Sequence, residues 1–259
     1  MKLSRHDTRF FKTARNLAAL LAIIFLATGC GWGNPAPEEH LAAGQKYIQK
    51  GETRSAVIEF KNAVAKAPEN AEARYVLGHL YLTIGNFLDA EKELDRAAAL
   101  APENPEYALD YAKTLVRLGR WTEVETLLEG SEAWDPELQA TALALRARVQ
   151  LSAREAEAAE SVLEEALSIA PENPDALYSQ ALLHITRRQT DEATAILEKV
   201  LELNSDHAQA LTTRGELKLA AGEFDAAREA FDRARMIETA NIGLTVNVAR
   251  ADLANEDYD

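Results

Sequence analysis

Apolar residues recur at helical spacing along most of the chain, in blocks about one helix long with polar residues between them. The block "AEARYVLGHLYLTIG", Ala71 to Gly85, ends on a glycine suited to the positive φ of a helix terminus. The next, "NFLDAEKELDRAAAL", repeats the pattern and stops short of Pro102, which cannot continue a helix. Together they predict a helix–turn–helix unit, and the unit recurs. One column of small residues reads Gly44, Gly78, Ala112, Ala147, Ala181, Gly215. Others read Ala56, Ala90, Val124, Ala159, Ala193, Ala227 and Ala63, Ala97, Ser131, Ala166, Val200, Ala234. A large apolar column reads Phe60, Leu94, Leu128, Leu163, Leu197, Phe231. Every column steps by 34, 34, 35, 34 and 34, the extra residue falling between Pro136 and Ala147. The tetrapeptide APEN marks the joint at Ala67–Asn70, Ala101–Asn104 and Ala170–Asn173, and Pro136 shares the place of its proline.

Six copies are predicted, at 37–70, 71–104, 105–138, 140–173, 174–207 and 208–241. Residues 242–259 form either a partial seventh copy or a capping helix: Ala249 continues the first small column, and Tyr258–Asp259 fall one period after Phe224–Asp225. A helix of about 14 residues is marginal alone. A pair leaves an apolar face bare, which the next pair covers, while small residues at the crossings let backbones approach. The fold class is all-α. In the fourth and fifth copies Arg154 and Arg188 replace the inter-helix glycine, which predicts looser turns there.

The run Leu77–Gly78, Tyr81, Gly85, Phe87, Ala90, Ala97, Pro102 resembles the signature of the tetratricopeptide repeat family. The resemblance extends from Pro37 to about Asn241, weakening where Gln150 and His184 replace the tyrosine. It implies a right-handed superhelical solenoid whose concave groove, lined by the first helix of each pair, receives protein or peptide partners. Groove positions implied in this way include Tyr75, His79, Lys113, Arg117, Arg148 and Tyr178. Three cations flanked by two tyrosines on so acidic a chain suit an acidic or C-terminal peptide. The alternative is that they pair with neighbouring Glu and Asp. The asparagines of the family's carboxylate-clamp subclass are absent. His184 reads as half-buried packing and Trp121 as core beside a turn, whereas Trp134 is ambiguous.

The N-terminus has different chemistry. Lys2, Arg5, Arg9, Lys12 and Arg15 precede the uncharged run Leu17–Thr28, too short to span a bilayer but suited to a signal-peptide core. The run ends at "LATGC", which resembles a bacterial lipobox. That implies a signal peptide at 1–29, diacylglycerol on Cys30 and a tether over 30–36; the other reading is ordinary cleavage leaving a free thiol. Gly31 after the cysteine implies the outer membrane, facing the periplasm. A lipobox followed by "HLAAGQKYIQKGETRSAVIEF" is similar to the repeat lipoproteins of exosortase (PEP-CTERM) systems. Such a resemblance implies a membrane-tethered scaffold linked to exopolysaccharide assembly and surface-protein sorting. A pilotin-like lipoprotein for pilus or secretin assembly, and the recruitment arm of a longer enzyme, are the alternatives.

Composition narrows the chemistry. Cys30 is the sole cysteine, so neither an internal disulfide nor a thiolate metal site can form. The chain carries a net charge of −14, and without the net +4 of residues 1–29 it carries −18. That argues against nucleic acid and against broad contact with anionic lipid. His6, His40, His79, His184 and His207 include no pair at metal-ligand spacing on one helix, and there is no nucleophile elbow, Walker loop or zinc motif. The expectation is a non-enzyme with no cofactor, metal or small-molecule substrate, whose partners are proteins and, through the lipid on Cys30, a membrane.

Overall fold

The helix pairs close their apolar faces on each other in chain order, in a computed structural model that describes residues 35–256. The expected signal peptide, Cys30, the start of the tether and Tyr258–Asp259 lie outside the described residues. The first pair is α1 (Pro37–Gln49) and α2 (Thr53–Lys66), followed by α3 (Ala71–Thr83) with α4 (Phe87–Leu100) and α5 (Pro105–Leu118) with α6 (Trp121–Leu127). Then come α7 (Pro136–Ser152) with α8 (Ala156–Ile169), α9 (Pro174–Thr186) with α10 (Thr190–Leu203), α11 (Ala208–Ala220) with α12 (Phe224–Ile237), and α13 (Ile242–Glu256). There is no strand among the described residues, and no described helix is long and apolar enough to cross a membrane.

The columns are the core. Every Ala, Val and large residue named in them is at most 2% exposed. Within each pair the first small position faces the large residue sixteen places on. A Cβ on Gly215 would lie 2.6 Å from the Phe231 ring, and one on Gly78 would lie 2.7 Å from Leu94. Gly44 abuts the Phe60 ring still more closely. Where Ala takes the small place, as in Ala112, Ala147 and Ala181, Leu takes the large one. Gly faces Phe in two copies and Ala faces Leu in three, so size is traded between the two places in five of the six copies, Gly78 with Leu94 being the exception.

APEN is a stop, a turn and a start in four residues. The N–H groups of Ala67, Ala101 and Ala170 bond the carbonyls of Ala63, Ala97 and Ala166, closing each second helix. Pro68, Pro102 and Pro171 then forbid continuation. The side chains of Asn70, Asn104 and Asn173 accept from Ala73, Glu106 and Ala176 N–H at 3.0 Å, capping the next helix. One period later His207 does the same through Nδ1, accepting from Ala210 N–H at 3.1 Å.

The structure departs from the sequence expectations in four places. Helix α6 ends at Leu127, and the chain passes Gly130 (φ +79°) into a short 3₁₀ turn that places buried Ser131 in its column. Arg146 Nη2 donates to the Leu128 carbonyl at 2.9 Å, supplying a partner that the lost turn would have provided. Pro136 therefore starts a helix instead of ending one, with Asp135 as its cap, and the fourth copy's first helix begins before the expected 140. The Arg154 and Arg188 turns are not looser. Both residues adopt positive φ, 66° and 61°, and the turns keep the hydrogen bond of their glycine counterparts: Glu155 N–H to Gln150 and Gln189 N–H to His184, each at 2.9 Å. Finally, Ala249 is exposed, while Ala251 packs on Ala227 and Phe231. The first small column serves a following helix, and none packs on Ala249 among the described residues.

The left-handed conformation strains any residue carrying a Cβ. Arg154→Gly and Arg188→Gly should each raise stability by about 1 kcal/mol, read from denaturant unfolding. An unchanged midpoint would show that these turns carry no such strain.

Candidate functional site

The first helices α3, α5, α7 and α9 carry the predicted positions, but not as an open basic floor. Lys113 of α5 reaches across α7 to Asp175 of α9, Nζ to Oδ2 at 2.9 Å. Arg117 makes a two-pronged pair with Glu238, just past α12, at 2.5 and 2.8 Å, and its guanidinium stacks on the Phe87 ring at 4.2 Å. Two of the three expected free cations are thus paired with carboxylates, at separations of 62 and 121 residues. Arg148 of α7 remains. Its guanidinium lies 5.4 Å from the Tyr178 ring centre, no carboxylate among the described residues pairs with it, and its Nε is sealed from solvent without a hydrogen-bond partner.

The tyrosines divide as well. Tyr178 is 5% exposed with its hydroxyl 3.2 Å from Thr213 Oγ1, so it is a buried platform beneath Arg148 and not a groove flank. Tyr75 is half-buried and stacks on Tyr107 with ring centres 4.3 Å apart. Beside it the His79 Nδ1 and Asp110 Oδ2 are 2.6 Å apart. His184 is half-buried and bonds Gln189, Trp121 and Trp134 both pack on the third copy's core, and His207 stands 3.9 Å from Asp175.

Two cavities flank Arg117. One, of 410 Å³, is lined by Arg117, Tyr178, Thr212, Glu216 and Asn247 among others. The other, of 280 Å³, is lined by Leu82, Lys113, Asp175, His207 and Glu238 among others. Burial pushes the Arg148 guanidinium below its ordinary pKa. Burial opposes the charges on Lys113 and Asp175 more than any single neighbour favours them, but their mutual attraction, joined by Asp110 for Lys113 and by His207 and Arg148 for Asp175, outweighs it, so Lys113 stays above the usual lysine value and Asp175 below the usual carboxylate range. The arrangement suits a carboxylate or other hydrogen-bond acceptor delivered to Arg148. Among the described residues no group of three or more His, Cys, Asp or Glu converges as a metal site.

The pKa values of the two histidines are displaced in opposite directions. Asp110 holds His79 above the ordinary imidazole value, whereas burial pushes His207 below it, with its Nδ1 already engaged as an acceptor. His79 thus contributes stability below about pH 6.5 that is lost as the pH rises through its raised value. His207 contributes above about pH 6.5, and loses it as the pH falls through its lowered value. Imidazole resonances followed by NMR should show His79 protonating first on acidification; the reverse order would refute this geometry.

Glu238, Asn241 and His207 were absent from the expected groove. His207 and Asn241 do continue the cap column of Asn173 at intervals of 34, which was the available signal. Nothing in a periodic pattern marks Glu238, whose partner lies half the array away.

Solved structures share this architecture. A tetratricopeptide repeat protein from Parabacteroides merdae ATCC 43184 is 18% identical with a TM-score of 0.64, over 95% of this chain and 96% of that one. PilW, a widely conserved type IV pilus biogenesis factor, is 20% identical with a TM-score of 0.55, over 84% and 99%. Pseudomonas aeruginosa pilF is 18% identical with a TM-score of 0.50, over 83% and 97%. At such identities the likeness is one of fold. No curated protein matches the chain by sequence. The tetratricopeptide repeat family, however, matches residues 47–108, 85–149, 150–217 and 184–243, spanning the columns, caps and turns described above. With its helix pairs in the same order and register, this chain belongs to the tetratricopeptide repeat family.

Proposed function

We propose that the protein is a non-catalytic scaffold, held at the outer membrane by lipid on Cys30, that binds protein partners on its concave face in the periplasm. Arg148 carries this reading: a cation sealed at Nε, lacking an acceptor and mounted on a tyrosine ring, is stabilised by an incoming carboxylate. The partner class is a segment bearing a carboxylate, and the stacked Tyr75 and Tyr107 offer it aromatic contact. The finer pathway is exopolysaccharide- and exosortase-linked assembly of surface proteins, supported by the lipobox resemblance and the first two copies.

A photoreactive residue at Thr212, which lines the larger cavity, should give a discrete protein adduct in cells. Arg148→Met should abolish that adduct, and the same residue at exposed Lys92 should not give it. Adducts insensitive to Arg148→Met would refute the site. Metabolic palmitate labelling lost in Cys30→Ser tests the anchor; retained label would refute it.

A second reading, a lipoprotein assisting type IV pilus or secretin assembly, is supported by the match over nearly all of PilW and pilF. Deleting the gene separates the two: loss of surface pili with normal exopolysaccharide favours the second.

A further inference from the structure

The helix pairs of an unbranched repeat array touch only their neighbours. Here the sixth copy also touches the second and third. Ala240 N–H donates to the Ile84 carbonyl at 2.8 Å, and Arg117 grips Glu238, which is further held by Asn241 Nδ2 at 2.7 Å. Gly85, at φ +78°, lies so close that an added Cβ would come within 2.9 Å of both Glu238 and Asn241. The contact walls the cavities beside Arg117 on one side, with Arg117 and Asn241 lining the larger and Arg117 and Glu238 the smaller.

This seam differs in kind from the joints between neighbours. No apolar cluster among the described residues bridges it: one spans α1 to α5, and another runs from α8 to α13. A 760 Å³ cleft, lined by Gly51, Val57, Ile84 and Ala240 among others, runs along its edge. A junction made of one ion pair and a few hydrogen bonds separates while exposing little apolar surface. By contrast, the column packing holds each pair together whether the seam is open or shut.

We propose that the array is latched: the α3–α4 turn and Arg117 clasp the α12–α13 loop, and separating them opens the concave cavity. The proposal deepens the scaffold reading by assigning a gate to its site, yet the gate itself needs no partner to be tested. In full-length protein carrying Cys30→Ser, Thr212→Cys places a thiol in the larger cavity. Arg117→Glu should raise its rate of maleimide labelling at least tenfold, and Arg117→Glu with Glu238→Arg should return it to the starting rate. Gly85→Asn provides a second opening without a charge change, since asparagine tolerates positive φ but its side chain collides with the loop. Gly222 has the same φ of +78° and open space around it, so Gly222→Asn controls for backbone strain and should leave the rate unchanged. A thiol at exposed Lys92 should respond to none of them. Equal rates at Thr212→Cys in all variants, or no recovery on charge exchange, would overturn the latch. Loss of cellular adducts with the latch intact would instead count against the scaffold reading.

Discussion

Gly215→Ala should destabilise the sixth pair by about 1–3 kcal/mol, and adding Phe231→Leu should recover most of the loss. The added methyl would sit 2.6 Å from the Phe231 ring, and that ring is fully buried against Ala227 and Ala251. A close-packed side chain has nowhere to go, so the helices must part or the ring must leave its rotamer. Leucine lacks the ring atoms Cε1 and Cζ that crowd this place. The third, fourth and fifth copies already combine Ala with Leu at these two places, which shows that the backbone geometry accepts the pair. Phe231→Leu alone should cost about 1 kcal/mol, and Phe231→Ala about 3–5 kcal/mol, through the cavity each leaves. Hydrogen exchange over α11 to α13 is the suitable measurement, because repeat arrays open locally and a single global transition averages over the pairs. A double variant as unstable as the sum of its singles would overturn size compensation as the rule of this column.

That rule was legible in the sequence because small and large columns recur with one period, and burial selects residues by volume regardless of which copy they occupy. The start sites of five copies coincide with the starts of α1, α3, α5, α9 and α11 for the same reason. The third copy escaped it. Gly130 interrupts α6 at a place where no other copy has glycine, and Pro136 has a local meaning opposite to that of its column, since proline at a first helical position promotes a helix. At Arg154 and Arg188 the expected loosening failed because flanking helix packing fixes the turn, and the arginine is carried into the left-handed region with it.

The site was legible only as a surface. Family resemblance placed Lys113, Arg117 and Arg148 in the groove; in the structure they lie on α5 and α7 and face Asp175, Glu238 and Tyr178. Which of them stays unpaired depends on carboxylates two or three copies away, brought near by curvature. Glu238 lies in a loop after α12, and its pairing with Arg117 reflects how tightly the array curls, a property summed over every inter-pair angle. A one-dimensional period carries no record of that sum.

Asp175→Asn should be the most damaging polar change, at about 3 kcal/mol. The Asp175 carboxylate faces Lys113 at 2.9 Å and His207 at 3.9 Å, and it lies within the field of Arg148. Neutralising it leaves Lys113 of α5 and Arg148 of α7 repelling each other. The Asp175 pKa is held below its unfolded value, so this contribution is present above about pH 4 and fades as the pH falls through the lower folded value. Wild type and variant should therefore differ most near neutrality and converge in acid. Arg148→Met should act in the opposite sense, raising stability by about 1–2 kcal/mol, because methionine fills the space over the Tyr178 ring without a buried donor lacking an acceptor. In the Asp175→Asn background the gain should be larger, since the methionine also removes the repulsion from Lys113. Denaturant midpoints of the four proteins at pH 7 and at about pH 2 give the coupling and its loss in acid directly. If Arg148→Met is destabilising in both backgrounds, Arg148 is a structural cation. If it is stabilising while the Thr212 adduct disappears, the array retains Arg148 at a cost to its own stability, which is the mark of a residue kept for what it binds.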